Sequence, residues 1–119
     1  MSSDHRIFAE NATTDAVRVG GVEGKPTEGV ADLKHLLQGD DALLIEISFE
    51  KGMTAPPHSH SHESYCYCVK GRIMSTVDGE SYVLGPGDSV FHPADVTHST
   101  EVLEDSVWLE FKTPPERTW

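Results

Sequence analysis

The sequence predicts an all-β fold, an antiparallel sandwich or small barrel with an irregular N-terminal segment. Three observations carry this prediction: short runs with apolar residues at alternate positions, turn-forming residues between nearly all of them, and almost no helical periodicity. The 119 residues include ten glycines and seven prolines, which suits a turn-rich protein. Because a typical domain has about 150 residues, we expect one domain around one core.

Residues 1–40 form a heterogeneous N-terminal extension, and the regular barrel is expected over residues 41–119. The extension contains a short β-like run at 16–19, followed by the turn-rich stretch GGVEGKPTEG. Residues 31–38, ADLKHLLQ, are the one segment whose leucines share a helical face. This spacing predicts a short helix that ends at Gly39.

From residue 42 onward the apolar residues recur with a period of two. In ALLIEISFE, residues 42–50, apolar side chains occupy alternate positions, as in a half-buried strand. Further strands are predicted at 65–69, 73–77, 81–84, 89–91 and 107–111. Asp78-Gly79 predicts a tight hairpin, because a type I′ turn needs positive φ at both positions and this pair tolerates it.

The charge excludes two classes of partner. Nine basic and 20 acidic residues give a net charge of −11, so nucleic acids and anionic membranes would repel the chain. No stretch approaches the ~18 apolar residues of a membrane span, and the start is too polar for a secretory signal, so we expect a cytoplasmic protein. Cys66 and Cys68 are too close along a strand to pair, which predicts free thiols.

Seven histidines stand out in so short a chain, and three of them are clustered. His58, His60 and His62 alternate, so in an extended backbone their imidazoles point to the same side. Three imidazoles on one face suit a transition-metal site, and His98 could join from a later strand. The competing interpretation is a solvated loop that binds metal adventitiously.

The residues around these histidines follow a spaced pattern. Gly52 is followed by five residues, then His58-x-His60, and Gly71 closes the segment. This resembles the first motif of the cupin superfamily, which reads G, five residues, H-x-H, three or four residues, Glu, six residues, G. The resemblance implies that His58 and His60 are metal ligands.

A second pattern follows in the same order as in that superfamily. Gly87, Pro93 and His98 stand at the spacings of the second cupin motif, and the likeness extends over about residues 42–112. It implies a cupin-type antiparallel β-barrel, also called a double-stranded β-helix or jelly roll. It also implies that His98 is the third imidazole ligand.

The departures from the motifs bear on the metal site. Ser64 stands where the superfamily has its Glu ligand, Asp95 where it has Gly, and Val102 where it has Asn. Three ways of replacing the Glu remain open. Glu63 could supply a carboxylate from one position earlier, His62 could turn inward, or three histidines could be completed by water. An absence of any physiological metal is a further alternative.

Strand parity predicts which neighbours face the cavity. If Ser64 faces inward with the histidines, Cys66 and Cys68 share that face and the tyrosines at 65 and 67 face outward. On the last strand, Val107, Leu109 and Phe111 alternate with Trp108, Glu110 and Lys112, and the sequence does not show which set faces inward.

The candidates for acid–base roles are Glu63 and His92. His92 is either a histidine at the barrel rim or a proton shuttle, since imidazole titrates near neutrality. Glu46 and Glu110 are carboxylates in the middle of strands, where a solvated outer face is expected for both. The alternative for either is a general base or a partner of a metal ligand.

The resemblance implies a metal-dependent enzyme that binds Fe, Ni, Zn or Mn and acts on a small chelating organic substrate. Dioxygenase, isomerase and lyase chemistry all remain open. The C-terminal FKTPPERTW is similar to the tails of small cupins that open unsaturated uronates. The alternative is a non-catalytic cupin that binds a sugar or organic acid, which the loss of the Glu ligand favours. Small cupins commonly form dimers, so the resemblance implies a homodimer that buries either the N-terminal segment, residues 1–40, or an outer sheet face.

Overall fold

The computed structural model describes residues 5–119. A short 3-10 helix covers Asn11–Thr13, and the described residues contain no α-helix. The strands are β1 (Ala16–Arg18), β2 (Gly21–Val22), β3 (Lys25–Pro26), β4 (Ala31–Gln38), β5 (Leu43–Phe49), β6 (Thr54–His58), β7 (Glu63–Lys70), β8 (Ile73–Val77), β9 (Glu80–Leu84), β10 (Ser89–His92), β11 (His98–Val102) and β12 (Ser106–Thr113).

Two antiparallel sheets form the barrel. One has six strands in the order β1-β4-β5-β12-β7-β10, and the other has four in the order β6-β11-β8-β9. The hairpin of β2 and β3 forms a separate two-stranded sheet. The core draws apolar residues from both large sheets, among them Leu43, Ile45, Ile73, Leu84 and Val102. This confirms the predicted all-β, cupin-type fold.

Strand β5 confirms the predicted period of two. Its alternate residues Leu43, Ile45, Ile47 and Phe49 are buried, and Phe49 packs edge to face on Trp108 with ring centroids 5.3 Å apart. Each fully buried aliphatic side chain of this size contributes about 1.5–3 kcal/mol to folding. The strand therefore anchors the centre of the six-stranded sheet.

The helix predicted over residues 31–38 is wrong, because the segment forms strand β4. It pairs with β5 from Ala31 opposite Phe49 to Gln38 opposite Leu43, and with β1 on its other side. A register shift between His35 and Leu37 accommodates the adjacent leucines. Local spacing fitted a helix, but pairing with two neighbouring strands outweighs a weak helix propensity.

The predicted hairpin at Asp78-Gly79 is confirmed, since φ is 50° at Asp78 and 83° at Gly79. Strands β6 and β11 were not predicted, because neither shows clear apolar alternation. Strand β6 contains Pro56 and Pro57, and it lies at the edge of its sheet, where a residue without an N–H is tolerated.

Strand parity on β7 is as predicted. Cys66 and Cys68 are buried free thiols, and Tyr65 and Tyr67 are each 48% exposed on the outer face. On β12 the buried set contains Trp108 together with two charged residues, so the polar set faces inward. None of the described helices is long or apolar enough to cross a membrane.

Candidate metal centre

Three of the predicted imidazoles meet inside the barrel. His58 ends β6, His98 begins β11, and the two residues are directly paired in the sheet. His60 follows in the loop after β6, with its ring centroid 4.7 Å from that of His58 and 5.1 Å from that of His98. One side-chain nitrogen from each of the three lies within 4.8 Å of the other two. All three side chains are buried.

The backbone at Asp95 holds the His60 loop in place. Asp95 adopts φ of 64°, the left-handed conformation that a glycine at this motif position would adopt. Its backbone N–H donates a 2.7 Å hydrogen bond to the carbonyl of His60. Asp tolerates this conformation better than most residues, so the departure from the second motif leaves the loop geometry intact.

The hydrogen bonds of two imidazoles leave a ring nitrogen available to a metal. The Nδ1 of His58 lies 2.6 Å from the carbonyl oxygen of Pro56, which can only accept, so the proton lies on Nδ1. The Nδ1 of His60 lies 2.8 Å from a carboxylate oxygen of Glu23. In both rings Nε2 then carries a free lone pair, as a metal ligand requires.

Burial keeps these imidazoles neutral. Desolvation lowers the pKa of His58 and of His60, and it lowers the pKa of His98 to about 3, with neighbouring histidines adding to the shift. Neutral imidazole is the form that binds a metal, so the three histidines are in the protonation state that a metal requires at neutral pH. A three-imidazole donor set suits several divalent transition metals and does not select one of Fe, Ni, Zn or Mn.

The structure does not bring Glu63 into this cluster. Its carboxylate accepts a 3.3 Å hydrogen bond from the hydroxyl of Tyr65, which lies on the outer face of β7. Strand alternation explains the placement, because Ser64 is the residue of this pair that points inward and is fully buried. A role for Glu63 as ligand or acid therefore has no support in this geometry.

His62 lies behind the cluster. Its ring stacks on that of His60 with centroids 4.4 Å apart, and its Nδ1 faces the Glu63 carbonyl and the Ser64 hydroxyl at 3.0 and 3.2 Å. Its Nε2 is buried without a hydrogen-bond partner among the described residues. His62 is not part of the group of three histidines that could hold a metal. It instead packs against one of them, His60.

His92 is buried inside the barrel and not at its rim. Its ring stacks on His98 at 3.9 Å, and its Nε2 lies 2.9 Å from the hydroxyl of Ser75. The Nδ1 faces the thiol of Cys66 at 3.9 Å. Burial lowers the pKa of His92 to about 4, so the ring is neutral at pH 7. A proton-shuttle role stays a prediction.

A cavity of about 80 Å³ lies next to the cluster. It is lined by His58, His60, His92, His98, Glu110 and Lys112 together with apolar residues of both sheets. The C-terminal Thr118 and Trp119 line it too. Charged groups and imidazoles therefore line the same cavity.

Glu110 is the functional candidate that the sequence placed wrongly. Both mid-strand carboxylates were expected on the solvated face, and Glu46 does lie outside, where Asn11 donates to it. Glu110 faces the cavity and accepts a 3.0 Å hydrogen bond from Ser64, with the Lys112 ammonium 3.8 Å away. Strand parity groups Glu110 with Trp108, but parity alone does not show which face of β12 the rest of the chain covers.

Glu23 was missed altogether. It lies in the turn between β2 and β3, 37 residues from His60 in the chain, and no local pattern marks it. The contact forms because the β2–β3 hairpin packs beside β6. Only the folded chain brings the two residues together.

An antiparallel barrel with three buried imidazoles beside a cavity is the architecture of small β-barrels whose histidines could hold a metal. Comparison of the sequence with known families gives a match to the cupin domain over residues 45–111, and the chain belongs to this family.

Two relatives share a name. The pectin degradation protein KdgF of Dickeya dadantii (strain 3937) is 27% identical over 85 residues, which cover 71% of this chain and 77% of the relative. The structure of KdgF from Halomonas sp. superposes with a TM-score of 0.80 and 27% identity, covering 92% of this chain and 95% of that one.

A second solved structure extends the likeness. An RmlC-like cupin from Shewanella frigidimarina NCIMB 400 also has a TM-score of 0.80, with 26% identity, and the match covers 92% of this chain and 91% of that one. The fold described above is therefore shared over most of the length of the chain.

Proposed function

We propose that the chain is a metal-dependent enzyme in which His58, His60 and His98 hold one divalent transition metal. The observation that carries this proposal is the buried cluster itself, whose three ligand nitrogens lie within 4.8 Å of one another. Two of the three rings already have their second nitrogen hydrogen-bonded, as metal-binding histidines commonly do.

The donor set favours an anionic substrate. Three neutral imidazoles leave the full charge of a dipositive ion uncompensated, and a small chelating acid would neutralise it. When bound, the metal would supply a Lewis acid that polarises a substrate oxygen. Lys112 lines the same cavity, where its ammonium lies 3.8 Å from the carboxylate of Glu110.

The proposed reaction is the ring opening of an unsaturated uronate. Likeness to a protein named for pectin degradation supports this substrate class, as does the similarity of the C-terminal FKTPPERTW to tails of uronate-opening cupins. The reaction is an isomerisation: the proton of the anomeric hydroxyl is removed as the ring C–O bond breaks, which leaves an aldehyde at the anomeric carbon and an enolate. The enolate then takes a proton at carbon and becomes a ketone.

Glu110 is the proposed acid–base residue. It is the cavity-lining carboxylate, and Ser64 orients it by donating to one of its oxygens. A positioned carboxylate that removes one proton and returns another contributes typically 10²–10⁴-fold to a rate. Ser64, at the motif position of the usual Glu ligand, would thus serve a carboxylate on the neighbouring strand β12.

The test combines metal content with turnover. Protein purified without a tag is analysed for metals and then given an unsaturated galacturonate monomer, with loss of the ultraviolet absorbance of its conjugated double bond as the readout. We expect near-stoichiometric metal and turnover in the wild type, and neither in the His58→Ala/His60→Ala variant. Substoichiometric metal in both proteins, at equal thermal stability, would contradict the proposal.

A non-catalytic cupin is the second candidate, favoured by Ser64 at the motif position of the carboxylate ligand. A cavity of about 80 Å³ is also small beside the 300–1,000 Å³ of typical ligand sites. Calorimetry with sugars and organic acids separates the two candidates. Tight binding without turnover, in protein loaded with metal, would favour the binding role.

We further propose a homodimer located in the cytoplasm. Five large apolar side chains are 40–48% exposed on the outer face of the six-stranded sheet, namely Tyr65, Tyr67, Val69, Phe91 and Phe111. A contiguous apolar patch of this kind is typical of a protein–protein interface. Light scattering on the purified chain measures the oligomeric state.

A further inference from the structure

The turn between β2 and β3 lies against the candidate metal centre. Glu23 and Gly24 form the tip of this hairpin with φ of 49° and 74°, as in a type I′ turn. The hairpin residues Gly21 and Val22 line the cavity that contains the histidines. A segment from the N-terminal part of the chain thus forms one wall of the site.

Two side chains of the hairpin reach the loop that contains the ligands. A Glu23 carboxylate oxygen lies 2.8 Å from Nδ1 of His60, and the Lys25 ammonium donates a 2.7 Å hydrogen bond to the carbonyl of Pro57. Pro57 directly precedes His58. The hairpin therefore contacts both ends of the segment from Pro57 to His60.

We propose that Glu23 is the positioning residue for the metal ligand His60. The inference rests on the proposed function, because it requires a metal held by the three histidines. A carboxylate that accepts from Nδ1–H fixes the tautomer with its lone pair on Nε2. It also limits rotation of the ring and makes Nε2 a stronger donor.

The surroundings of the two groups distinguish this contact from an ordinary surface pair. The His60 side chain is 5% exposed while that of Glu23 is 39% exposed, so the carboxylate reaches inward from the surface to a buried ring. The ring of His60 stacks on His62 on one side and lies near His98 on the other. With the ring so enclosed, the acceptor at Nδ1 decides which nitrogen faces the cluster.

The backbone at Glu23 supports a specific role for its side chain. A non-glycine residue with φ of 49° lies in the left-handed region, where Gly or Asn fits with less strain. The hydrogen bond to His60 offsets this strain in the folded chain. The hairpin turn would accept a better-suited residue if the carboxylate had no contact to make.

The experiment measures Co²⁺ affinity by competition with a chelator, together with the visible absorption spectrum of the bound ion. Glu23→Ala removes the acceptor, and we expect a 10–100-fold weaker affinity and an altered spectrum. Glu23→Gln keeps an oxygen that accepts the same hydrogen bond, so it should restore most of the affinity. The matched control is Glu28→Ala, which removes an exposed carboxylate next to the same hairpin.

The outcomes separate this inference from the proposed function. A wild type that binds no Co²⁺ overturns the metal site itself. A wild type that binds while Glu23→Ala stays within twofold of it overturns only the positioning role, and so does an equal loss in Glu28→Ala, since that would be an effect of overall charge. If Glu23→Ala fails to fold, Glu23→Asp replaces it, because the shorter side chain does not span the distance to Nδ1.

Discussion

Near the histidines, the two faces of strands β7 and β12 reverse the usual arrangement of polar and apolar residues. On the inner face, β7 and β12 present Ser64, Glu110 and Lys112, all of them buried. On the outer face, the same strands present Tyr65 and Phe111, each nearly half exposed. Polar residues face the interior near the histidines, and aromatic residues face outward.

The comparison shows what makes a polar interior tolerable. Glu110 accepts from Ser64 and lies 3.8 Å from Lys112, and the Lys112 ammonium donates to Thr118 at 2.6 Å. Buried charges that are paired and hydrogen-bonded avoid most of the desolvation penalty. The outer aromatic residues are nearly half exposed, and we propose that a second copy of the chain covers them.

The largest effect should come from breaking the inner ion pair. Glu110→Ala leaves the Lys112 ammonium buried without its carboxylate, so we expect a loss of about 3–5 kcal/mol in the free energy of unfolding, measured in urea. The Glu110→Leu/Lys112→Met double variant removes both charges and should recover much of that loss. A double variant no more stable than Glu110→Ala would contradict this account of the pair.

The inner face should also make stability depend on pH. Burial lowers the pKa of His92 to about 4, against about 6.5 in the unfolded chain, so the unfolded state binds the proton more readily. The contribution of neutral His92 to the free energy of unfolding is therefore fully present above pH 6.5, and it is lost as the pH falls toward 4.

This pH effect amounts to about 2 kcal/mol for one imidazole between pH 7 and pH 5. Metal-free His92→Gln keeps a hydrogen-bonding side chain but does not titrate, so its loss over this range should be smaller by that amount. Tyr67→Thr, on the outer face, should show the same pH dependence as the wild type. An identical pH dependence of the free energy of unfolding in the wild type and His92→Gln would refute the attribution of this effect to His92.

The outer face is tested by its effect on association. Phe111→Thr removes an exposed aromatic ring from β12 while keeping a residue suited to a strand, so the monomer should remain folded. We expect the dissociation constant of the dimer to rise about tenfold or more, as determined by analytical ultracentrifugation. A wild type that is monomeric at high concentration would remove the proposed interface.

The smallest effect is expected at Glu46, the other carboxylate in the middle of a strand, which lies on β5 next to β12. Glu46 lies opposite Leu109 in the sheet and accepts a hydrogen bond from Asn11 at the surface. Glu46→Gln should change the free energy of unfolding by less than about 0.5 kcal/mol and leave turnover unchanged.

Glu110→Gln, in contrast, should lower turnover at least 100-fold if the carboxylate transfers protons. Equal effects of the two substitutions would show that burial does not distinguish these carboxylates.

Much of the site could be predicted because its key residues lie close together in the sequence or in spaced motifs. His58 and His60 alternate along an extended segment, and the position of His98 follows from the second motif. Glu63 and Ser64 show the limit of such reasoning. A shift of one residue along a strand reverses the face, so Glu63 lies outside while Ser64 points inward.

The sequence by itself determined the alternation of most barrel strands, the tight turn at Asp78-Gly79 and the His58-x-His60 pair, because each depends on local spacing. The tertiary structure decided three further points: β4 is a strand, Glu110 faces the cavity, and Glu23 contacts His60. Alternation shows that a strand has two faces but not which one the rest of the chain covers. That choice depends on contacts between residues far apart in the sequence, and these form only when the sheets close around the core.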